Sequence, residues 1–295
     1  MTVESKNSGT RESRLGMINA DKIVIRRLPS IEECKPCVEL QREVWGRDFA
    51  DVVPANVMMA CQRVGGLTAG AFDPAGRLLA FVVSLAGFRG HRLAHWSNMM
   101  VVKAGCQNLG IGQRLKMFQR QYCLDHGVET LYWSVDPLIA RNAHLNFNRL
   151  GVDVDEYVFD LYGTETHSEL HSGLGTDRFI MAWHIDSPRV NEIVETGRAP
   201  YADAQHAGAR VVNAAVENAG GQLRPAVDEL PLLPVVRVEI PDDILAVKKA
   251  DLAVGQAWRE TTRTVLRHYL DAGYRVTTFY RDTESGRCYY CLDSL

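Results

Sequence analysis

The sequence predicts an α/β fold, with a mixed central sheet between flanking helices and a C-terminal extension made of a strand, a helix and a hairpin. Two observations lead to this prediction. Apolar runs with strand-like or helix-like spacing follow one another as strand, two helices, three strands, helix, strand, helix and two strands. From residue 235 a new strand, a long helix and two aromatic strands follow.

The elements are placed by their periodicity and by the residues that begin and end them. Ser30 and Glu33 form a capping box at the start of the first helix, and Gly127 ends the helix that follows the central strands. A Pro-Ala-Gly turn at 74–76 joins a hairpin. The predicted order is a strand at 22–28, helices at 31–45 and 54–64, strands at 67–73, 77–88 and 95–102, a helix at 110–126, a strand at 130–135, a helix at 140–152, strands at 156–163 and 177–185, a strand at 235–240, a helix at 242–272 and strands at 274–282 and 287–292.

The length of 295 residues favours one and a half to two domains. We predict a flexible polar tail at 1–20, an α/β domain at 21–185, a helical connector at 186–234 and an α+β extension at 235–295. The extension is too small to stand alone, so we expect its aromatic strands to pack on the first domain.

Charge and hydropathy narrow the class of partner. The formal net charge is −3 and no long basic run occurs, so we expect neither nucleic acid nor a membrane surface as partner. No apolar stretch reaches the roughly 18 residues of a membrane span, and the first twenty residues lack the apolar core of a signal peptide. We therefore expect a soluble, cytoplasmic protein that binds a small molecule.

The seven cysteines favour reduced thiols over a disulfide framework, since their number is odd. Cys34 and Cys37, and Cys288 and Cys291, have Cys-x-x-Cys spacing. Redox chemistry at the first pair and a zinc site shared by all four are alternatives. The simplest interpretation is that all seven are small buried apolar residues, and we predict no metal site.

The stretch from 95 to 112 is the most informative part of the chain. A buried strand runs through a short loop into Gln107-x-x-Gly110-x-Gly112, which opens a helix. The free N–H groups and positive dipole end of a helix attract phosphate, and glycines let the ligand approach the backbone. The pattern lacks the Gly-Lys-Ser/Thr ending of the P-loop and the third glycine of the dinucleotide fingerprint.

This motif resembles the signature of the GNAT superfamily of acyl-CoA N-acyltransferases, which reads Arg or Gln, two residues, Gly, one residue, then Gly or Ala. The resemblance covers 23–185, including the helix that closes on Leu150-Gly151. It implies that loop amides hold the pyrophosphate of the acyl-CoA co-substrate and that the preceding strand binds its pantetheine arm. The implied cofactor-binding residues are Met100, Val101, Val102, Gln107, Asn108, Leu109, Gly110, Ile111, Gly112, Gln113, Asn142 and Phe147.

The resemblance also implies catalytic positions. A strand N–H near Met100 or Val101 would polarise the thioester carbonyl. The family's usual thiolate acid is a tyrosine, and counting back from Gly151 places Phe147 there, which has no proton to donate. Asn142 or Asn146 would contact the sulfur or the pantetheine instead.

For the general base, His95 and Asp136 are the ionisable residues nearest the expected acceptor position.

The sequence thus predicts an N-acyltransferase that moves an acetyl or other short acyl group to an amine of a small metabolite. A non-catalytic acyl-CoA-binding or regulatory protein is the main alternative, and an unusual nucleotide-binding α/β domain is a third. Acceptor contacts are expected from loops at 88–92 and 164–176. The oligomeric state is left open, with a homodimer among the choices.

Overall fold

The computed structural model describes residues 20–47, 49–163, 173–197, 206, 208–217 and 220–294. The predicted tail, apart from Ala20, lies outside these residues. So does the greater part of the predicted acceptor loop at 164–176.

A seven-stranded mixed sheet forms the first half of the chain and confirms the predicted fold class. Its strand order is β1-β2-β3-β4-β5-β7-β6. All neighbours are antiparallel except β4 and β5, which are parallel. The strands are β1 Val24–Arg27, β2 Leu67–Phe72, β3 Leu78–Arg89, β4 Arg92–Val102, β5 Thr130–Val135, β6 Asp153–Val158 and β7 Arg178–His184.

Two helices, α1 (Ile31–Trp45) and α2 (Ala55–Arg63), cover one face of β2, β3 and β4. The Ser30 side chain accepts a hydrogen bond from the Glu33 N–H, so the predicted cap is present. Cys34 and Cys37 are buried in this small core, where burial raises the pKa of both thiols, that of Cys34 to about 11. Thiolates are disfavoured there, which argues against redox chemistry.

The opposite face carries α3 (Ile111–Asp125) and α4 (Ala140–Ala143), and α4 continues as a π-helix over His144–Leu150. Gly151 ends the π-helix in the left-handed conformation, with φ 67°. Trp133 and Trp183 pack edge to face beneath these helices, with ring centroids 6.0 Å apart. In the described part of the chain, this face belongs to the larger of two hydrophobic cores, which continues into the C-terminal sheet.

The remainder of the chain builds a second sheet with the order β12-β13-β11-β8 and a two-stranded β9-β10 ribbon. The strands are β8 Arg210–Val211, β9 Ala215–Glu217, β10 Leu223–Pro225, β11 Val235–Ile240, β12 Arg275–Arg281 and β13 Cys288–Asp293. The helices are α5 Pro188–Thr196, α6 Ile244–Ala250 and α7 Leu252–Asp271.

Two predictions for this half were wrong in detail. Residues 210–225 were expected to be helical, but they contain three short strands, and β8 pairs in parallel with β11. The single helix expected at 242–272 is two helices. Asp251 interrupts it, because its carboxylate accepts hydrogen bonds from the N–H groups of Ala253 and Val254 and starts α7 as an N-cap.

Buried ion pairs join α7 to the first sheet. Arg259 donates to Asp136 Oδ2 at 2.6 Å, and Arg178, at the start of β7, lies 3.7 Å from the same oxygen. One turn later, Arg263 donates to both oxygens of Asp177 at 2.7 and 2.5 Å. Both carboxylates are buried, so each depends on its arginine for compensation.

Aromatic and amide contacts complete this interface. The Tyr290 ring of β13 packs edge to face against Phe147 and Phe179 at 5.7 and 5.6 Å, and its hydroxyl donates to the Pro137 carbonyl at 2.7 Å. Asn148, on the π-helix, donates to the Phe279 carbonyl of β12 at 2.7 Å and accepts from its N–H at 3.2 Å. The C-terminal sheet therefore packs on the first sheet through specific contacts.

We expect Asp136→Asn to destabilise the chain by about 3–5 kcal/mol, because it removes the carboxylate that buried Arg259 and Arg178 share. Denaturant unfolding at pH 7 measures this. Asp155→Asn is the matched control, since Asp155 forms an exposed pair with Arg89 whose loss costs less than about 1 kcal/mol. An equal decrease in the free energy of unfolding in the two variants would contradict the larger contribution expected of the buried pair.

Candidate functional site

Strands β4 and β5 separate after a short stretch of pairing. They pair only at Ala94–Thr130, His95–Leu131 and Trp96–Tyr132. Beyond Trp96, β4 continues to Val102 and β5 to Val135 without further pairing between them. We call the space between residues 97–102 and 133–135 the β4–β5 gap.

A β-bulge lies at the point of separation. In the pairing of β3 with β4, Val83 faces Met99 and Ser84 faces Ser97, so Asn98 is the extra residue on β4. A bulge bends and twists its strand locally. It therefore turns β4 away from β5 just beyond their last paired residues.

The backbone directions in the gap follow from the neighbouring ladders. The Lys103 N–H donates to the Leu79 carbonyl at 2.8 Å, so two residues earlier Val101 also directs its backbone groups at β3. Met100 and Val102 therefore direct their N–H and C=O groups into the gap. Of the two positions predicted to polarise the carbonyl, Met100 directs its N–H into the gap and Val101 directs its N–H at β3.

The same reasoning applies to β5. The Ile185 N–H donates to the Glu129 carbonyl at 3.2 Å, which sets the alternation of the β5–β7 ladder. Ser134 consequently directs its backbone groups away from β7 and into the gap. The gap thus has an unpaired strand edge on both sides.

The start of α3 lies at the open end of the gap. Gly110 is the N-cap in the left-handed conformation, with φ 70°, and no side chain caps the helix. In the described part of the chain, no acceptor is bonded to the backbone N–H groups of residues 109–113. A helix start in this condition favours an anion through its free N–H groups and its dipole.

The two motif glycines have different roles. Gly110 is required for its positive φ, which strains the backbone of any residue with a side chain. Steric space is not the constraint, since a Cβ at Gly110 would meet no atom within 4 Å. Gly112 lies where α3 approaches β4, and a Cβ at this position would be 3.5 Å from Met100 Cε and 3.9 Å from Val102 Cγ2. A longer side chain at Gly112 would therefore reach the mouth of the gap.

Arg141 of α4 is a residue that sequence reasoning missed. Its guanidinium donates to Gln107 Oε1 at 2.6 Å, which links α4 to the loop before α3. The side chain is exposed, so its charge adds to the positive potential at the open end of the gap. The adjacent Asn142, predicted as a cofactor contact, is half-buried and its N–H is bonded to the Ile139 carbonyl at 2.9 Å.

Phe147 does not have the surroundings expected of a cofactor contact. It is 1% exposed and packs on Tyr290 of the C-terminal sheet. Asn146, the alternative sulfur contact, is also buried. The C-terminal extension covers this face of the π-helix. The extension is not part of the minimal GNAT pattern, so that pattern does not predict the burial of Phe147.

His95, one of the two predicted bases, is buried beneath α3. Its Nδ1 lies 3.1 Å from Ser84 Oγ and 3.5 Å from Cys123 Sγ, and the residue is 2% exposed. Burial, and after it the nearby His126, lower the pKa of His95 to about 4, although a hydrogen bond to the Gly65 carbonyl opposes both. These contacts describe a packed core histidine and speak against its use as a general base.

Asp136, the other candidate, is held in the ion pair with Arg259. Burial raises the pKa of its carboxyl, but Arg259 and Arg178 outweigh burial and hold the pKa below its usual range. A carboxylate this strongly stabilised as the anion is a weak proton acceptor. Its position favours a structural role.

The face of the sheet opposite α3 carries a polar pair beside the gap. Ser134 Oγ lies 2.7 Å from the Tyr162 hydroxyl, and the Arg178 guanidinium lies 5.3 Å from the centre of the Tyr162 ring. Tyr162 is 54% exposed, so this pair is open to a second substrate. No motif marks either residue, and the pairing depends on the return of the chain after β6.

Other features of the described residues do not compete with the gap. All seven cysteines are free and buried. Within the described ranges, no group of three His, Cys, Asp or Glu side chains is arranged to hold a metal, and no helix is long and apolar enough to cross a bilayer. Two cavities of about 380 and 400 Å³ lie between β6 and α7, and Phe159 and Arg267 line both.

No protein-family model matches the sequence, and no curated protein matches it. Similar solved structures include the ribosomal-protein-S18-alanine N-acetyltransferase of Escherichia coli, with 17% identity, a TM-score of 0.44 and coverage of 56% of this chain and 95% of that one. A GNAT-family acetyltransferase of Streptococcus pneumoniae has 16% identity, a TM-score of 0.44 and coverage of 54% and 98%. A putative acetyltransferase of Salmonella typhimurium, solved with acetyl-CoA, has 15% identity, a TM-score of 0.43 and coverage of 56% and 95%.

One of these neighbours is named as a member of the GNAT family, whose signature the Gln107-x-x-Gly110-x-Gly112 motif resembles.

The burial of His95 predicts a specific acid sensitivity. The unfolded state binds a proton near pH 6.5 and the native ring only near 4, so the wild-type protein loses stability as the pH falls through this window, by up to about 3 kcal/mol. We expect His95→Gln to remove this component of the pH dependence, measured by denaturant unfolding at several pH values.

His184→Gln, at an exposed histidine, is the control and should keep the wild-type slope. An unchanged slope in His95→Gln would show that His95 is not held neutral in the folded protein.

Proposed function

We propose that this chain is an acyl-CoA-dependent N-acyltransferase that transfers an acetyl or other short acyl group to an amine of a small metabolite. The β4–β5 gap, open on both strand edges and leading to the uncapped start of α3, is the observation that supports it. Pantetheine carries two amide groups, which suit the unpaired N–H and C=O groups of Met100 and Val102 in the way that a peptide adds to a sheet edge.

The dimensions of the gap support the same ligand. The pyrophosphate would lie on the free N–H groups of residues 109–113, with Arg141 nearby. Residues 97–102 of β4 extend over roughly 17 Å, at about 3.3 Å per residue. An extended pantetheine arm of this length would bring the thioester to the closed end of the gap, beside Trp96 and Asn98.

The transfer needs a neutral amine, a polarised thioester carbonyl and a proton for the leaving sulfur. The backbone N–H groups that face the gap are donors suited to the carbonyl oxygen. The amine would approach from the opposite face of the sheet, where Ser134 and Tyr162 form the polar pair. Their hydroxyls are placed to orient the amine and to pass its proton to solvent.

A non-catalytic acyl-CoA-binding protein is the second candidate. The observation in its favour is that both ionisable residues first considered as bases, His95 and Asp136, are buried and engaged elsewhere. Release of free thiol from acetyl-CoA in the presence of a panel of small amines separates the two. Tight coenzyme A binding without amine-dependent thiol release would favour the binding protein.

The assignment of the phosphate end is tested with Gly112→Asp, which places a carboxylate at the mouth of the gap. We expect the Kd for coenzyme A, measured by calorimetry, to rise roughly 100-fold, since like charges at a binding interface cost several kcal/mol. Gly87→Asp is the matched control, because a side chain at Gly87 meets nothing within 4 Å and its φ is ordinary. Thermal melting checks that both variants fold, and unchanged affinity in a folded Gly112→Asp protein would exclude this site.

A further inference from the structure

Lys116 of α3 is a buried lysine without an acidic partner among the residues that the structure describes. It is 3% exposed, and its ammonium donates to Ser97 Oγ at 2.9 Å and to Gln119 Oε1 at 3.2 Å. The same ammonium lies 3.7 Å from the centre of the Trp133 ring. We refer to Ser97, Lys116 and Gln119 as the Lys116 cluster.

The Lys116 cluster lies at the closed end of the β4–β5 gap. Ser97 is the first residue of β4 after the last paired position, Trp96, and Trp133 is the first residue of β5 after Tyr132. The Lys116 ammonium contacts both, so it spans the point where the strands part.

Helix α3 connects this point to the phosphate end of the gap. It runs antiparallel to β4, with Gly112 over Met100 and Val102, Lys116 over Ser97, and Cys123 beside His95. The helix that offers free N–H groups to an anion thus also places a lysine where the thioester would end. Both features face the same side of the gap.

The cluster has more donors than acceptors. Ser97 Oγ and Gln119 Oε1 each accept a hydrogen bond from the Lys116 ammonium. The Ser97 hydroxyl donates its own proton to Gln119 Oε1 at 3.2 Å. Gln119 Nε2 is buried and has no hydrogen-bond acceptor in the described chain. Buried donors without acceptors are rare in folded proteins. A ligand atom that accepts hydrogen bonds or carries negative charge would complete the cluster.

No described acidic side chain contacts the Lys116 ammonium. The titratable groups that face it are Cys123 of the same helix and, beyond it, His95 of β4, while β5 presents the Trp133 ring. Burial lowers the pKa of Lys116 to about 7, although Cys123 opposes this. A lysine in this state gains or loses its proton near neutral pH.

We propose that Lys116 donates the proton that the leaving sulfur of coenzyme A requires, an inference that rests on the proposed acyltransferase function. The acceptor amine attacks the thioester carbonyl, the carbon–nitrogen bond forms, and the carbon–sulfur bond breaks with its electron pair going to sulfur. A proton passes from Lys116 Nζ to that sulfur. The surplus proton of the amine goes to solvent, and the neutral lysine takes up a proton from solvent before the next turnover.

The surroundings suit this step. An ammonium without a carboxylate stabilises the developing thiolate more than a paired one does, because no counterion competes for it. After the transfer, the neutral amine is compatible with the apolar Trp133 ring and with burial. The thiol of coenzyme A and Lys116 are close enough in proton affinity for transfer in either direction.

The test compares binding of coenzyme A with binding of desulfo-coenzyme A, by calorimetry from pH 6 to 10, to wild type and Lys116→Met. The pair of a thiolate and an ammonium carries one proton, so it is most populated between the pKa of Lys116, about 7, and that of the thiol, about 8.5. In wild type, the preference for coenzyme A over the desulfo analogue should therefore peak in this pH range. We expect Lys116→Met to show no such peak. Its ratio of affinities for coenzyme A over desulfo-coenzyme A should fall at least tenfold, while its affinity for the desulfo analogue stays unchanged.

Lys35→Met, at an exposed lysine paired with Glu32, is the control and should keep the peak. A wild-type protein that binds both ligands equally at every pH overturns the role of Lys116, whether or not the variant folds, and a peak retained in folded Lys116→Met does so as well. Failure of wild type to bind either ligand would instead refute the proposed function. A purely structural lysine would change the melting temperature and leave the pH profile in place.

Discussion

The carboxylate of Asp136 ties the end of β5 to β7 and to α7. It follows the last residue of β5 and is held by Arg178 at the start of β7 and by Arg259 of α7. Arg178 belongs to β7, which lies on the side of β5 away from β4, so this contact anchors the end of β5 on that side. The Asn98 bulge acts on the other strand, and the gap results from both.

The C-terminal half therefore takes part in shaping the site without lining it. Its residue Arg259 pairs with Asp136 at the end of β5. Its residue Tyr290 packs on Phe147, so this face of the π-helix is buried. With that helix face covered, the polar side chains at the closed end of the gap come from β4 and α3. On the proposed function, the proton donor that the GNAT resemblance implies on the helix after β5 would come from α3, the helix before it.

The sequence was sufficient for most strands of the first sheet, for the cap at Ser30 and for the position of the Gln107–Gly112 loop before α3, because each depends on neighbouring residues. The strand predicted at 156–163 was wrong in its bounds, since β6 covers Asp153–Val158 and residues 159–162 form turns. The sequence was insufficient where partners are remote. Asp136 lies 123 residues from Arg259, and His95 lies 28 residues from Cys123, so neither partnership is visible as a pattern. Lys116 occupies a position on α3 that looks like a solvent-facing lysine until β4 and β5 are placed against it. The short strands at 210–225 depend in the same way on pairing with β11 and with each other.

The side chain of Asn148 also changes how the second sheet can behave in solution. Strand β12 is one of the two edge strands of that sheet, and an edge strand ordinarily presents unpaired backbone groups with which another chain can pair. Here Asn148 occupies both backbone groups of Phe279, and Arg189 donates to the Thr277 carbonyl at 2.9 Å. Two side chains thus occupy backbone groups that a fifth strand would pair with, and they hinder edge-to-edge association of this sheet with another molecule.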